Sequence, residues 1–181
     1  MSTTTTHLVT AEDLLNMPDD DFRHELIKGE LLTMSPSSFE HGRVVGHLTI
    51  ILGHYIEANG LGVVCGAETG FKLESDPDTV RAPDIAFIPK ERAVFDPTTF
   101  GPGSPELAVE VLSPSERKAK IEQKTSQWLA CGARSVWLVN PRKRTVEVVQ
   151  ASGQRKIFNE SDELVDDTVP GFRVAVSKIF E

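Results

Sequence analysis

Apolar residues between Ser38 and Asn59 recur at helical spacing. Val44, Val45, Leu48, Ile51, Leu52, Tyr55 and Ile56 share one side of a 3.6-residue period, and Asn59-Gly60 supplies the stop. A shorter helix is predicted at "TAEDLLNM", where Thr10 and Asp13 have the spacing of a capping box. "FRHELIKGELLTMS" reads as two strands about a Lys28-Gly29 turn. Three strand candidates follow, "LGVVCG", "ETGFKLE" and "PDIAFI"; a Pro/Gly-rich loop then leads to "ELAVEVLS". A helix is predicted from about Ser115 to Cys131, stopped by Gly132. "SVWLVNP" is continuously apolar, as in a sheet covered on both faces, and "RTVEVVQ" pairs with it as a hairpin through Arg142-Lys143. From Arg155 onward the pattern predicts short strands with "PGF" as a turn.

The segment from Glu106 to Asn140 has the length of a parallel strand–helix–strand crossover. The order of elements therefore predicts an α/β fold, a mixed β-sheet flanked by helices with an N-terminal β-hairpin. The 181 residues suffice for one domain with a real core, placed at residues 11–181, behind a polar tail at residues 1–10 expected to be flexible.

Two of the predicted strands each carry one carboxylate among apolar neighbours, Asp84 and Glu110. A buried, unpaired carboxylate is costly and calls for a cation. Residues two apart share a strand face, so Leu107, Val109 and Val111 point one way, and Ala108, Glu110 and Leu112 the other. If the two strands are neighbours, their acids converge, and Mg²⁺ suits such a site because it takes few carboxylates and keeps several waters. The alternative is that each acid caps a loop or pairs with an arginine such as Arg81. On the following helix, Ile121, Thr125, Trp128 and Leu129 form the stripe toward the sheet; Lys124 lies at its border and Lys120 further round. Lys124 either snorkels there or joins the acids.

Charge narrows the options for nucleic acid. A net charge of −8 argues against a broad phosphate-binding face, so any such contact belongs to a local cleft. Arg43, Arg117, Lys118 and Lys120 are candidates for its rim. Cys65 and Cys131 lack metal-site spacing and are expected to be buried reduced thiols. No apolar run is long enough for a membrane helix and the N-terminus lacks a signal-peptide pattern, so a cytoplasmic location is expected.

The residues Pro83-Asp84, "LAVEVLSPS" at Leu107–Ser115, and the run from Lys124 through Trp128 to "VWLVNP" resemble the Uma-two family, bacterial proteins described as putative restriction endonucleases. "HELIKGELLTMSPSSFEHG" is similar to the family's N-terminal region. The resemblance implies a PD-(D/E)XK nuclease core with Asp84 and Glu110 as metal ligands. The lysine of the wider motif would fall at position 112, which is Leu112 here; in the Uma-two pattern Lys124 is the matching position. The family often has an acid four residues earlier, where this chain has Lys120, so either lysine remains a candidate.

Glu25 matches an acid of similar sequences and would either complete the metal shell or face solvent. His41 matches a further position, as a phosphate ligand or base, or as a plain first-turn residue. Glu68 is a third candidate ligand. The expectation is a Mg²⁺-dependent DNA endonuclease, with Mn²⁺ as a substitute metal and the Val111 carbonyl helping Asp84 and Glu110. A homodimer is expected by analogy, with Phe95–Phe100 as a candidate apolar patch. A nuclease-like module used only for binding or assembly is the alternative. Hydrolysis of another phosphate ester is a third reading, for which the chain offers no phosphate loop.

Overall fold

In a computed structural model of the chain, residues 8–18, 20–94, 96–114 and 116–181 are described. The first helix, α1 (Ala11–Leu15), starts at Thr10, whose side chain accepts from the Asp13 N–H while the Asp13 carboxylate reaches back to the Thr10 N–H. Strands β1 (Arg23–Ile27) and β2 (Glu30–Met34) form the predicted hairpin. Lys28 and Gly29 both take positive φ, 50° and 80°, which a two-residue turn matched to the strand twist requires. Helix α2 (Phe39–Ala58) is capped by Ser38 and buries Val44, Leu48, Leu52 and Ile56. Then come β3 (Gly62–Gly66), β4 (Phe71–Glu74), β5 (Thr79–Arg81), β6 (Ile85–Pro89), β7 (Gly101–Pro102) and β8 (Leu107–Val111). Helix α3 (Lys118–Ala130) leads to β9 (Ser135–Asn140) and β10 (Thr145–Gln150), and β11 (Arg155–Phe158), β12 (Glu163–Val165), β13 (Arg173–Ala175) and α4 (Val176–Ile179) complete the chain.

The strands divide between sheets rather than forming one. Five follow the order β2-β1-β5-β4-β7 and six the order β11-β10-β9-β8-β6-β3, with β12 and β13 as a separate pair. Within the six-stranded sheet β8 and β9 are parallel, joined through α3 as the crossover length implied, while β6 runs antiparallel to β8. The expected faces are observed. Leu107, Val109 and Val111 pack with α2 and the C-terminal segments, and Ala108 packs with Trp128 of α3 on the opposite face.

Several expectations change. The short strands β5 and β7 had no pattern of their own. "ETGFKLE" is a strand only from Phe71, and Asp84 precedes its strand rather than opening it. Of the expected tail, residues 1–7 lie outside the described residues, but Val9 already donates to the Gly29 carbonyl at 2.9 Å. Phe95 also lies outside the described residues, whereas Phe100 is half-buried beside Val80 and Leu26 rather than exposed. Both cysteines are free thiols and only half-buried. Among the described residues no helix is long and apolar enough to cross a membrane.

Candidate functional site

The chain passes from one sheet to the other at Ala82-Pro83-Asp84, between the end of β5 and the start of β6. At that junction the Asp84 N–H donates to the Val109 carbonyl at 3.0 Å. The antiparallel register pairs Ile85 with Val109 and Ala86 with Ala108. Asp84 lies just beyond the last paired residue of β6 and lines the same cleft as Glu110. The two are close enough for the Asp84 charge to act on Glu110. Each is 8% exposed.

Each carboxylate is held. The Val111 N–H donates to Asp84 Oδ2 at 2.8 Å, and His41 Nε2 stands 3.2 Å from the same oxygen. His41 is placed there by the first turn of α2, and it also makes a backbone hydrogen bond with Val111. Lys124 Nζ donates to Glu110 Oε2 at 2.7 Å, and the Trp128 indole N–H donates to Oε1 at 2.8 Å. The border position of Lys124 on α3 thus brings it to the acids, whereas Lys120, one turn earlier, is exposed at the cleft wall. Leu112, at the strand position where the wider motif has its lysine, packs with the apolar cluster around Trp128.

Glu25 does not face solvent, one of its two expected places. It is 1% exposed, and Arg81 Nη1 donates to Oε2 at 2.9 Å while the Ala82 N–H donates to Oε1 at 3.2 Å. Lys124 Nζ lies 3.7 Å from Oε1. Glu25 therefore neutralises Arg81 and adds negative charge behind the lysine. Arg81, a sequence candidate for pairing with Asp84 or Glu110, pairs with Glu25 instead and donates to Gln127 at 2.5 Å. Glu68 is exposed in a turn 3.8 Å from Arg23, outside this cluster. Arg43 does not reach the rim: its guanidinium donates to the Phe180 and Glu181 carbonyls. Lys118 is exposed and interacts with Glu122.

The charges explain one another. Burial drives the Glu110 carboxyl up to about 7, against the pull of Lys124. Burial alone would discharge Lys124, but the negative charges of Glu110, Glu25 and Asp84 outweigh it and hold the ammonium above its ordinary range. Burial also disfavours the charged form of Asp84, yet the His41 contact and the Val111 N–H keep it below the usual carboxylate range. The hydrogen bond to Asp84 raises His41, with burial opposing. These are buried acids in an open cleft of about 640 Å³, walled by Arg23, Ser38, His41, Arg117, Lys120 and Lys124.

The donor chemistry fits a hard divalent cation. Two carboxylates on one cleft and a nearby backbone carbonyl are oxygen donors of the kind Mg²⁺ accepts alongside water. No group of three His, Cys, Asp or Glu side chains poised as a metal cage occurs among the described residues. A cation here would thus rely on two carboxylates, carbonyl and solvent.

Sequence reasoning missed two parts of this cluster. The helical period marks Trp128 only as part of the buried stripe, although a buried indole N–H needs a partner. The Arg81–Glu25 pair spans 56 positions and left no local signal.

The model of the Uma2 (Uma-two) family, described as "Putative restriction endonuclease", matches residues 11–177. Among solved structures, a putative nuclease belonging to DUF820 from Anabaena variabilis is similar over 95% of this chain and 97% of that chain, at 16% identity and a TM-score of 0.80. That likeness establishes a shared fold. No curated protein matches the chain.

Proposed function

The chain belongs to the Uma2 family of putative restriction endonucleases, and from that premise we propose that it is a Mg²⁺-dependent DNA endonuclease of the PD-(D/E)XK type whose lysine has moved onto the helix. The observation that carries this reading is Asp84 and Glu110 on one open cleft, each within reach of the other's charge, with Lys124 Nζ 2.7 Å from Glu110. Asp84, Glu110 and the Val111 carbonyl would hold the cation. A bound Mg²⁺ supplies Lewis acidity toward the phosphate and a water of lowered pKa. Lys124 orients the attacking water and offsets the negative charge that develops on phosphorus oxygens. His41, at the first turn of α2, offers a donor to a phosphate oxygen. Arg23, Arg117 and Lys120 place basic side chains on the cleft wall, alongside Glu116, where they would contact a phosphate backbone locally.

The test is cleavage of plasmid DNA with Mg²⁺ and with EDTA. Metal-dependent nicking or linearisation by the wild-type chain, lost in Glu110→Ala, is expected. Cleavage by Glu110→Ala equal to wild type overturns the assignment.

One observation favours a second reading, a nuclease-like module that binds or assembles without turnover. Both carboxylates already have cationic partners, Asp84 in His41 and Glu110 in Lys124, so the cluster is electrostatically complete without a metal. Absence of Mg²⁺ or Mn²⁺ binding in calorimetry would favour that module over the enzyme.

A homodimer, one protomer per DNA strand, belongs to the nuclease reading. Helix α2 supports it. Phe39 is 89% exposed and Ile50 70%, on the side that carries Gly42, Gly46 and Gly53. A Cβ at any of those glycines would meet nothing within 4 Å. Glycine inside a helix costs roughly 0.8–1.0 kcal/mol relative to alanine. In an antiparallel pair of α2 helices with its two-fold axis at Gly46, Phe39 faces Gly53 of the second copy and Ile50 faces its Gly42. Each large side chain then meets a gap of matching position.

A further inference from the structure

We propose that Trp128 is the positioning residue for the metal-binding carboxylate, fixing the plane in which Glu110 meets a divalent cation. The proposal rests on the metal-dependent reading above and adds a residue that touches neither metal nor substrate. Trp128 is fully buried, and its Nε1 donates to Glu110 Oε1 at 2.8 Å. Lys124, four residues earlier on α3, donates to Oε2 at 2.7 Å. One turn of one helix therefore grips both oxygens of one carboxylate. A glutamate has several rotatable bonds, and a single contact from a flexible lysine would leave its plane free. Two donors on opposite oxygens define that plane and leave each oxygen one lone-pair direction for a further partner.

The indole is itself immobilised. Phe71 of β4 packs edge-on against it, with ring centroids 6.3 Å apart. A buried indole N–H can be satisfied by any carbonyl, yet here it is committed to the acid that shares the cleft with Asp84. Partners that orient ligating groups commonly change metal affinity by about 10–100-fold when removed.

The other tryptophan is a matched control. Trp137 is equally buried, and its Nε1 donates to Asp166 Oδ2 at 2.7 Å, on the opposite face of the sheet. Removing either N–H with phenylalanine takes a donor from a buried carboxylate, although Asp166 Oδ2 keeps the Ser135 hydroxyl at 2.5 Å, and disturbs the core, so loss of stability alone does not separate their roles.

The experiment is Mg²⁺ titration of the full chain by calorimetry, for wild type, Trp128→Phe and Trp137→Phe. Trp128→Phe is expected to weaken Mg²⁺ binding about tenfold or more, while Trp137→Phe binds as wild type although its melting temperature falls. In parallel, the two indole N–H resonances of the unmodified protein are followed during the titration, a readout that does not depend on a variant folding. The Trp128 signal should shift with Mg²⁺ and the Trp137 signal stay in place. Wild-type binding with equal affinity in Trp128→Phe, or an unmoved Trp128 signal during binding, overturns the positioning role and leaves the metal reading intact. No Mg²⁺ binding by wild type overturns both.

Discussion

Lys124 approaches Glu110 from the helix and not from the strand: its Nζ lies 2.7 Å from Oε2, while the strand position two residues beyond Glu110 is Leu112. The amine and the acid come from different elements, yet they meet because α3 is the crossover between the parallel strands β8 and β9. A helix returning over its own strand can deliver a side chain to the strand face it covers. The lysine position is thus exchangeable between strand and helix without changing where its charge ends up.

Lys124→Met should remove cleavage and destabilise the fold, because breaking a buried pair by deleting one partner costs about 3–5 kcal/mol. Lys120→Ala should leave stability within about 0.5 kcal/mol, since Lys120 is exposed. Urea unfolding and a plasmid assay on both variants decide which lysine works at the acids. A stable, active Lys124→Met would remove Lys124 from the account.

Glu25→Gln tests whether that acid is a ligand or a counter-charge. It leaves the Arg81 guanidinium buried without its carboxylate, so a loss of about 3–5 kcal/mol is expected in denaturant unfolding. Arg81→Met combined with Glu25→Gln should recover part of it, because the unpaired charge is gone. Additive losses in the double variant would contradict the pairing.

Stability should depend on pH through the same cluster. Glu110 holds a proton in the fold up to about 7, whereas the unfolded chain releases it near 4.5, so stability falls as pH rises through that window. His41 acts in the same direction. Its pairing with Asp84 contributes fully below 6.5 and is lost as pH rises through its elevated value. Asp84 sets the acid limit. Held below 3.8, it contributes above that value and loses its share as pH falls through its depressed one. Thermal melting in EDTA should therefore peak between about pH 4 and 6, and His41→Gln should flatten the decline above 6.5. A melting temperature that climbs steadily from pH 5 to 8 would contradict this.

The α2 face predicts the oligomeric state. Ile50→Glu places a charge opposite Gly42 of the second copy and should convert a dimer to monomer in sedimentation velocity, with little change in melting temperature because Ile50 is exposed in one protomer. A wild-type chain that sediments as a monomer at high micromolar concentration removes the pairing.

Much of this was legible in the sequence because it rests on local periodicity. The alternation through Leu107–Leu112 separated Glu110 from the α2-facing core, and the 3.6 period of α3 put Lys124 at the border of its buried stripe. The capped start of α1 and the turn at Lys28-Gly29 were equally readable. What escaped was non-local. β5 is three residues long and carries a buried arginine, so no apolar alternation announces it. The chain's move between two sheets at Ala82–Asp84 depends on which strands pair, and pairing leaves no trace in a single sequence. Arg43 has the composition of a rim cation but is drawn to the C-terminal carbonyls by a contact across more than 130 positions.

The most direct test of the central claim is anomalous scattering from crystals grown or soaked in Mn²⁺. The account predicts a peak bounded by the carboxylates of Asp84 and Glu110 and the Val111 carbonyl, at about 2.0–2.3 Å from its oxygen ligands, with Lys124 turned toward its solvent side. A lattice saturated with Mn²⁺ that shows no peak between those two acids would contradict it.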